Sequence, residues 1–281
     1  MGFRLGSRQG RAVLVVDDGL VDLEAASDGA FGPDILAALA RHRELHAVAD
    51  ATAGREPDHP LDPAELDACV PRPTKVFGVG LNYPAHAAES GSEMPEVPLI
   101  FAKFPNCLTG PSAEVVVPEG AAVDWEAELV VVIGDHCRAV PEAGAWDVVA
   151  GVCAGNDVSD RVAQFASSPP HFDMGKSWDG FGPVGPAVVS TDLLGDPDDI
   201  GLTCDVNGER MQDDRTSSMF HSVPALVAHL SRFCTLEPGD LVFTGTPDCV
   251  GAGRGQFQSP GDEVVVSVEG VGELTNRFVP P

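Results

Sequence analysis

Short apolar runs broken by Gly and Pro recur along most of the chain, the pattern of β-strands joined by tight turns. From Thr74 onward such runs fall at residues 76–79, 99–102, 126–133, 148–154, 187–190, 202–206, 241–244 and 263–268. One stretch there reads as helix. Residues 223–233 carry Ser222 as cap, Pro224 in the first turn, and Leu226, Leu230 and Phe233 along one face. Ahead of this region, strand-like pieces at 12–16 and 21–23 precede a helix predicted over 33–41, and the pattern then loosens over 54–63. This organisation predicts a small N-terminal domain over residues 1–70 and a larger β-rich domain over 71–281. Strands that are not regularly separated by helices indicate an α+β fold rather than a doubly wound sheet.

Composition narrows the function classes. A chain of 281 residues, 43% hydrophobic and 21% charged, is long enough to bury a sizeable core. Its net charge of −26 repels nucleic acid and anionic membranes, so neither is expected as a partner. No apolar run approaches the roughly 20 residues that span a bilayer. Arg4, Arg8 and Arg11 precede an apolar stretch, but it ends at Asp17 and Asp18 and is too short for a signal-peptide core; a cytoplasmic location is expected. Seven cysteines without a CxxC pair suggest buried reduced thiols rather than disulfides or a thiolate zinc site. The negative field would also repel an anionic metabolite, so a site for one must bring its own positive charge. Lysines are scarce. Only Lys75, Lys103 and Lys176 occur beside fourteen arginines, and of the three only Lys176 is assigned a function.

The candidate chemistry centres on carboxylates. In Asp124-Trp-Glu-Ala-Glu-Leu-Val-Val-Val-Ile133, period-two geometry sends Glu126 and Glu128 to one face of a strand. A lone pair of this kind often lies on a solvated face, but here the strand continues into an apolar run that implies burial. Two adjacent buried carboxylates repel unless a cation holds them, and a hard divalent ion satisfies that need. Asp157, in Gly155-Asn-Asp-Val-Ser-Asp-Arg161, offers a third oxygen ligand, although Asn-Asp by itself also suits a turn. Three oxygen ligands leave room for water and a chelating 2-oxo acid, which favours Mg²⁺ or Mn²⁺ over a closed Ca²⁺ cage. His86 and Glu89 stand three residues apart in Asn82-Tyr-Pro-Ala-His-Ala-Ala-Glu89, the spacing that lets a carboxylate orient an imidazole on a helical turn. Tyr83, the only tyrosine, lies beside them, as a substrate contact or as packing.

Several ordered segments together resemble the fumarylacetoacetate hydrolase family, from about Lys75 to Leu274. They are Val79-Gly-Leu-Asn-Tyr83, Pro98-Leu-Ile-Phe-Ala-Lys103, the stretches 124–133 and 151–164, Gly175-Lys-Ser-Trp-Asp-Gly-Phe-Gly-Pro-Val-Gly-Pro186, Val206-Asn-Gly-Glu209, Leu236-Glu-Pro-Gly-Asp240 and Thr244-Gly-Thr-Pro247. The resemblance implies a β-rich, roll-like catalytic fold, usually a homodimer, with metal held by Glu126, Glu128 and Asp157. It places the family's substrate-facing lysine on Lys176 and its arginine, glutamine and threonine on Arg161, Gln164 and Thr246. It also implies that His86 and Glu89 form a dyad on a lid over the metal. The segment 82–96, with Ser90, Gly91, Ser92 and Pro95, is accordingly expected to be mobile. One departure stands out: Arg161 is followed by Val162, where the family commonly has an acidic residue, so its orienting partner is in question.

The reading that follows is hydrolysis of a carbon–carbon bond in an acylpyruvate-like or 1,3-diketo acid, a small anionic substrate. Decarboxylation of an oxaloacetate-like acid, or tautomerisation of a hydroxy-dienoate, uses the same enolate without adding water. A catalytically inactive metal-binding subunit is the third possibility, and the complete carboxylate set with Lys176 speaks against it.

Overall fold

A computed structural model of the chain describes residues 2–17 and 19–281. The strands in chain order are β1 (Arg4–Arg8), β2 (Arg11–Val16), β3 (Gly19–Asp22), β4 (His59–Pro60), β5 (Val76–Gly80) and β6 (Leu99–Lys103). Next come β7 (Leu108–Thr109), β8 (Glu114–Val116), β9 (Val123–Asp124), β10 (Ala127–Ile133), β11 (Val149–Asn156) and β12 (Ser159–Asp160). The last six are β13 (Gly182–Val189), β14 (Gly201–Val206), β15 (Glu209–Arg215), β16 (Leu241–Phe243), β17 (Glu263–Val268) and β18 (Gly272–Val279). The large sheet runs β4-β3-β2-β1-β13-β11-β10-β16-β5-β6, and a second sheet runs β15-β14-β17-β18-β8. The α+β, strand-rich class expected from the apolar pattern is what the chain adopts.

Strand β10 explains why the site is buried. All seven of its residues are inaccessible, as an apolar run covered on both faces requires. Leu129, Val131 and Ile133 join the core that includes Leu202, Val264 and Val266 of the second sheet. Val130 and Val132 alternate to the other face, against Leu5, Leu14 and Leu39 from the N-terminal region. The boundary expected near residue 70 therefore falls inside one continuous sheet and one shared core: β1 pairs antiparallel with β13, Arg4 opposite Val189.

The helix Val223–Phe233 has the expected bounds, with Ser222 Oγ accepting from the Ala225 N–H. Leu226 and Leu230 are buried as its apolar spacing requires, but Phe233 at the terminal turn is exposed. The helix predicted over 33–41 is shorter, Ile35–Leu39, capped by Asp34. A further helix, His42–Thr52, buries His42, Leu45 and Thr52, too few apolar positions to mark it by periodicity. Among the described residues no helix is long and apolar enough to cross a membrane.

Candidate active site

The site forms where the ends of β6, β10, β11 and β16 meet. Glu128 lies within β10, opposite Gly155 of β11, and Glu126 sits just ahead of that strand. The Glu126 N–H donates to Asn156 Oδ1 (3.1 Å), and the Asp157 N–H donates to the Glu126 carbonyl (2.9 Å). These bonds bring the third carboxylate under the first. Glu126, Glu128 and Asp157 are all buried, and each offers an oxygen within 4.8 Å of the others. The three residues singled out as ligands thus converge in space.

Such a cluster cannot stand without positive charge. Lys176 Nζ lies 2.7 Å from Glu126 Oε2 and 2.7 Å from Asp157 Oδ2. Lys103 Nζ, fully buried, lies 2.6 Å from Asp157 Oδ1 and also donates to the carbonyl oxygens of Phe181 (3.1 Å) and Lys176. The sequence reading favoured a function for Lys176 alone and passed over Lys103, which also reaches the cluster; the scarcity of lysine was the available signal. Arg161 Nη2 lies 2.7 Å from Glu126 Oε1 and 2.7 Å from Asp124 Oδ2. Asp124 answers the question raised by Val162. It is fully buried, accepts from the N–H groups of Trp125, Gly251 and Ala252, and orients the guanidinium from outside the Arg161 segment. Asp160 instead caps the short helix Arg161–Gln164 by accepting from the Val162 N–H.

The charges act unequally on the carboxylates. Burial alone would raise Glu126, but Lys176 and Arg161 outweigh it and hold its carboxyl down to about 2. Glu128 has no such ammonium contact; burial, with Asp157 and Glu126 beside it, pushes it well above the usual carboxylate range. Its one hydrogen bond in the cluster comes from the Gly245 N–H (2.7 Å), at a position with φ of 99° that favours glycine. Burial pulls Lys103 down, yet Asp157 outweighs it and the ammonium is held above its ordinary value. The donor set therefore fits a hard divalent cation: oxygen ligands only, mutually close, dry and still short of positive charge around Glu128.

A cavity of about 400 Å³ opens beside the cluster, and Glu126, Lys176, Arg161, Gln164, Thr246 and His86 all line it. Gln164 accepts from Arg161 Nη1 (2.9 Å). The Thr246 hydroxyl donates to the Ala127 carbonyl and accepts from Gln212 Nε2, both at 2.9 Å, so its hydrogen-bonding capacity is largely committed. Gln212 lies on β15, a polar strand the apolar pattern did not mark. Tyr83 is elsewhere. Its side chain is fully buried outside the cavity lining, and its hydroxyl has no hydrogen-bond partner.

His86 and Glu89 share the short helix Pro84–Glu89, with His86 Nδ1 3.5 Å from Glu89 Oε2. That is ion-pair range without a hydrogen bond, and His86 Nδ1 has no hydrogen-bond partner. Both Glu89 oxygens accept from the Cys249 N–H (3.1 and 3.0 Å). The segment is tied at its two ends to one loop: Asn82 bonds the His221 backbone and the Thr244 carbonyl, and the Pro95 carbonyl lies 3.0 Å from His221 Nε2.

The strand-rich fold thus sets a buried carboxylate triad, with Lys103, Lys176 and Arg161 around it, beside a small cavity. The chain belongs to the fumarylacetoacetate hydrolase family: the family described as fumarylacetoacetate (FAA) hydrolase C-terminal matches residues 75–279. The chain is similar to a candidate HpcE protein from Mycobacterium smegmatis, 45% identical with a TM-score of 0.93 over 99% of each chain. It is also similar to a candidate 2-hydroxyhepta-2,4-diene-1,7-dioate isomerase from Mycobacterium abscessus, 25% identical with a TM-score of 0.86 over 100% of this chain and 99% of that one. Maleylpyruvate hydrolase from Sphingobium sp. SYK-6, whose structure holds manganese(II) and pyruvate, is 29% identical with a TM-score of 0.82 over 99% of each chain.

Proposed function

We propose that the protein is a divalent-metal-dependent hydrolase that cleaves a carbon–carbon bond in an acylpyruvate-like or 1,3-diketo acid. The observation that carries this reading is the convergence of Glu126, Glu128 and Asp157 within 4.8 Å, buried and short of positive charge around Glu128. These three would hold Mg²⁺ or Mn²⁺, and the Sphingobium relative's manganese(II) and pyruvate support that assignment. When bound, the ion polarises the oxygens of a chelating 2-oxo acid and stabilises an enolate.

The chain's own groups supply the rest. Lys176, beside Glu126 and Asp157, presents an ammonium to the substrate-derived anion. Arg161 and Gln164, coupled to each other, orient the acid from the cavity wall. His86 takes a proton from the attacking water and later returns one to the leaving carbon. Hydroxide adds to the distal carbonyl, the carbon–carbon bond breaks, and the products are a carboxylic acid and a 2-oxo acid. Residues 82–96 act as the lid that excludes bulk water. A cytoplasmic homodimer is the form in which we expect it to work.

One observation favours a second reading. Glu89 is engaged by the Cys249 N–H and makes no hydrogen bond to His86, so the dyad is loosely coupled. Tautomerisation or decarboxylation, which forms the same enolate without activating water, asks less of it. The test is a turnover screen of acylpyruvates, oxaloacetate and hydroxy-dienoates with Mg²⁺ or Mn²⁺, products identified by mass spectrometry. Metal-dependent release of two carbon fragments supports hydrolysis; an intact skeleton or loss of CO₂ alone overturns it.

A further inference from the structure

Three phenylalanines, Phe101, Phe165 and Phe172, line the cavity together. Phe101 and Phe172 meet edge to face with ring centroids 5.7 Å apart, and Phe165 meets Phe172 in the same way at 6.3 Å. Lys176 Nζ stands 5.1 Å from the Phe101 ring centroid, so the aromatic wall begins where the ammonium ends. Val79 and Val250 also line this cavity. A substrate whose 2-oxo acid end sits at the carboxylate cluster can lay its acyl end along this wall, which starts beside Lys176.

The cations around the cluster are already committed to its carboxylates. Glu126, Glu128, Asp157 and Asp124 face Lys103, Lys176 and Arg161, one positive charge short. A divalent cation turns that deficit into a single positive charge, which one substrate carboxylate neutralises. Arg161, the cation nearest the open cavity besides Lys176, is held by buried Asp124. The remaining ionisable wall groups at the lid are Glu89, which is acidic, and His86, whose Nδ1 lies 3.5 Å from Glu89 Oε2, so any charge it takes up faces that carboxylate first. Among the described lining residues no lysine or arginine remains uncommitted for a second carboxylate, and desolvating one without a partner is costly.

We infer that this site selects acylpyruvates whose acyl group is uncharged and apolar, alkyl or aryl, over dicarboxylic ones. The inference rests on the acylpyruvate reading above and specifies the distal half of the substrate. Burial of added methylenes against Phe101, Phe165 and Phe172 should strengthen binding by about fourfold each until the cavity is filled.

Binding and turnover test it separately. The Mn²⁺-loaded protein is titrated calorimetrically with 2-oxopentanoate, 2-oxohexanoate and 2-oxoglutarate, and kcat/KM is compared for butyrylpyruvate and fumarylpyruvate. The expected result is at least tenfold tighter binding of 2-oxohexanoate than of 2-oxoglutarate, with kcat/KM favouring butyrylpyruvate similarly. Phe165→Arg, which supplies a cation at the rim, should narrow or invert that preference. Equal or tighter binding of 2-oxoglutarate by the wild-type protein overturns the inference whatever the reaction proves to be. A clear apolar preference in binding with no cleavage of either acylpyruvate supports the inference and overturns the reaction assigned to the site.

Discussion

Replacing Lys103 by Met tests whether the cluster is balanced as the geometry implies. The substitution keeps the length of the side chain but removes the ammonium from Asp157 Oδ1 at 2.6 Å and from two carbonyl oxygens, all in a fully buried setting. Removing one partner of a buried pair leaves an uncompensated charge and costs about 3–5 kcal/mol. Spread over the unfolding entropy of a chain this size, that lowers Tm by roughly 5–10 °C. Lys176 still touches Asp157 Oδ2, which places the expected loss toward the lower end. Thermal and urea unfolding should be followed in chelator and again with Mn²⁺. The variant should unfold more easily in chelator, and Mn²⁺ should narrow the gap because the cation takes over the charge on Asp157. A difference below about 1 kcal/mol in chelator would refute the reasoning, since Lys103 would then not be countering a buried carboxylate.

Three further outcomes bear on individual residues. Lys176→Met should lose most turnover while retaining Mn²⁺ by paramagnetic resonance titration, and Lys176→Arg should also be impaired, because a planar fork does not replace a point charge in a tight site; near-normal turnover by the Arg variant would remove Lys176 from the chemistry. His86→Ala should cut kcat for acylpyruvate cleavage by about 10² to 10⁴ with metal affinity intact, and Glu89→Gln should cost less; equal losses would mean Glu89 acts other than by orienting the imidazole. At Gly253 a Cβ would lie 2.1 Å from Glu89 Oε1, so Gly253→Ala should dislodge Glu89 from the Cys249 N–H and lower kcat/KM about tenfold with little change in Tm. That loss should not add to the loss from Glu89→Ala in the double variant, and full additivity would show that the two act separately.

The metal cluster was legible in the sequence because its information is local. Glu126 and Glu128 share one short segment, the apolar run behind them forecasts burial, and Asp157 closes the adjacent strand. The counter-charges were only half legible. Lys103 reaches Asp157 from β6, and Asp124 reaches Arg161 from 37 positions earlier; neither contact leaves a periodic trace. Gln212 was invisible for a related reason. It is the only buried residue on β15, an edge strand whose remaining positions are polar or half-exposed, so alternation could not reveal it. Tyr83, read from its place beside His86 as a substrate contact or as packing, is the N-cap of that helix and is buried. The N-terminal strands followed the apolar pattern, but their pairing with β13 depends on an edge presented 180 residues later, which local pattern cannot show.

The central claim is that water adds across a carbon–carbon bond at this metal site, and isotope tracing tests it most directly. The Mn²⁺-loaded protein is incubated with an acylpyruvate in ¹⁸O-labelled water, and the acid released from the acyl half is analysed by mass spectrometry against a chelator-treated control. One ¹⁸O atom newly incorporated into that acid, with no cleavage in the control, is the predicted result. Turnover that leaves the carbon skeleton intact, or yields CO₂ and an unlabelled fragment, would contradict hydrolysis.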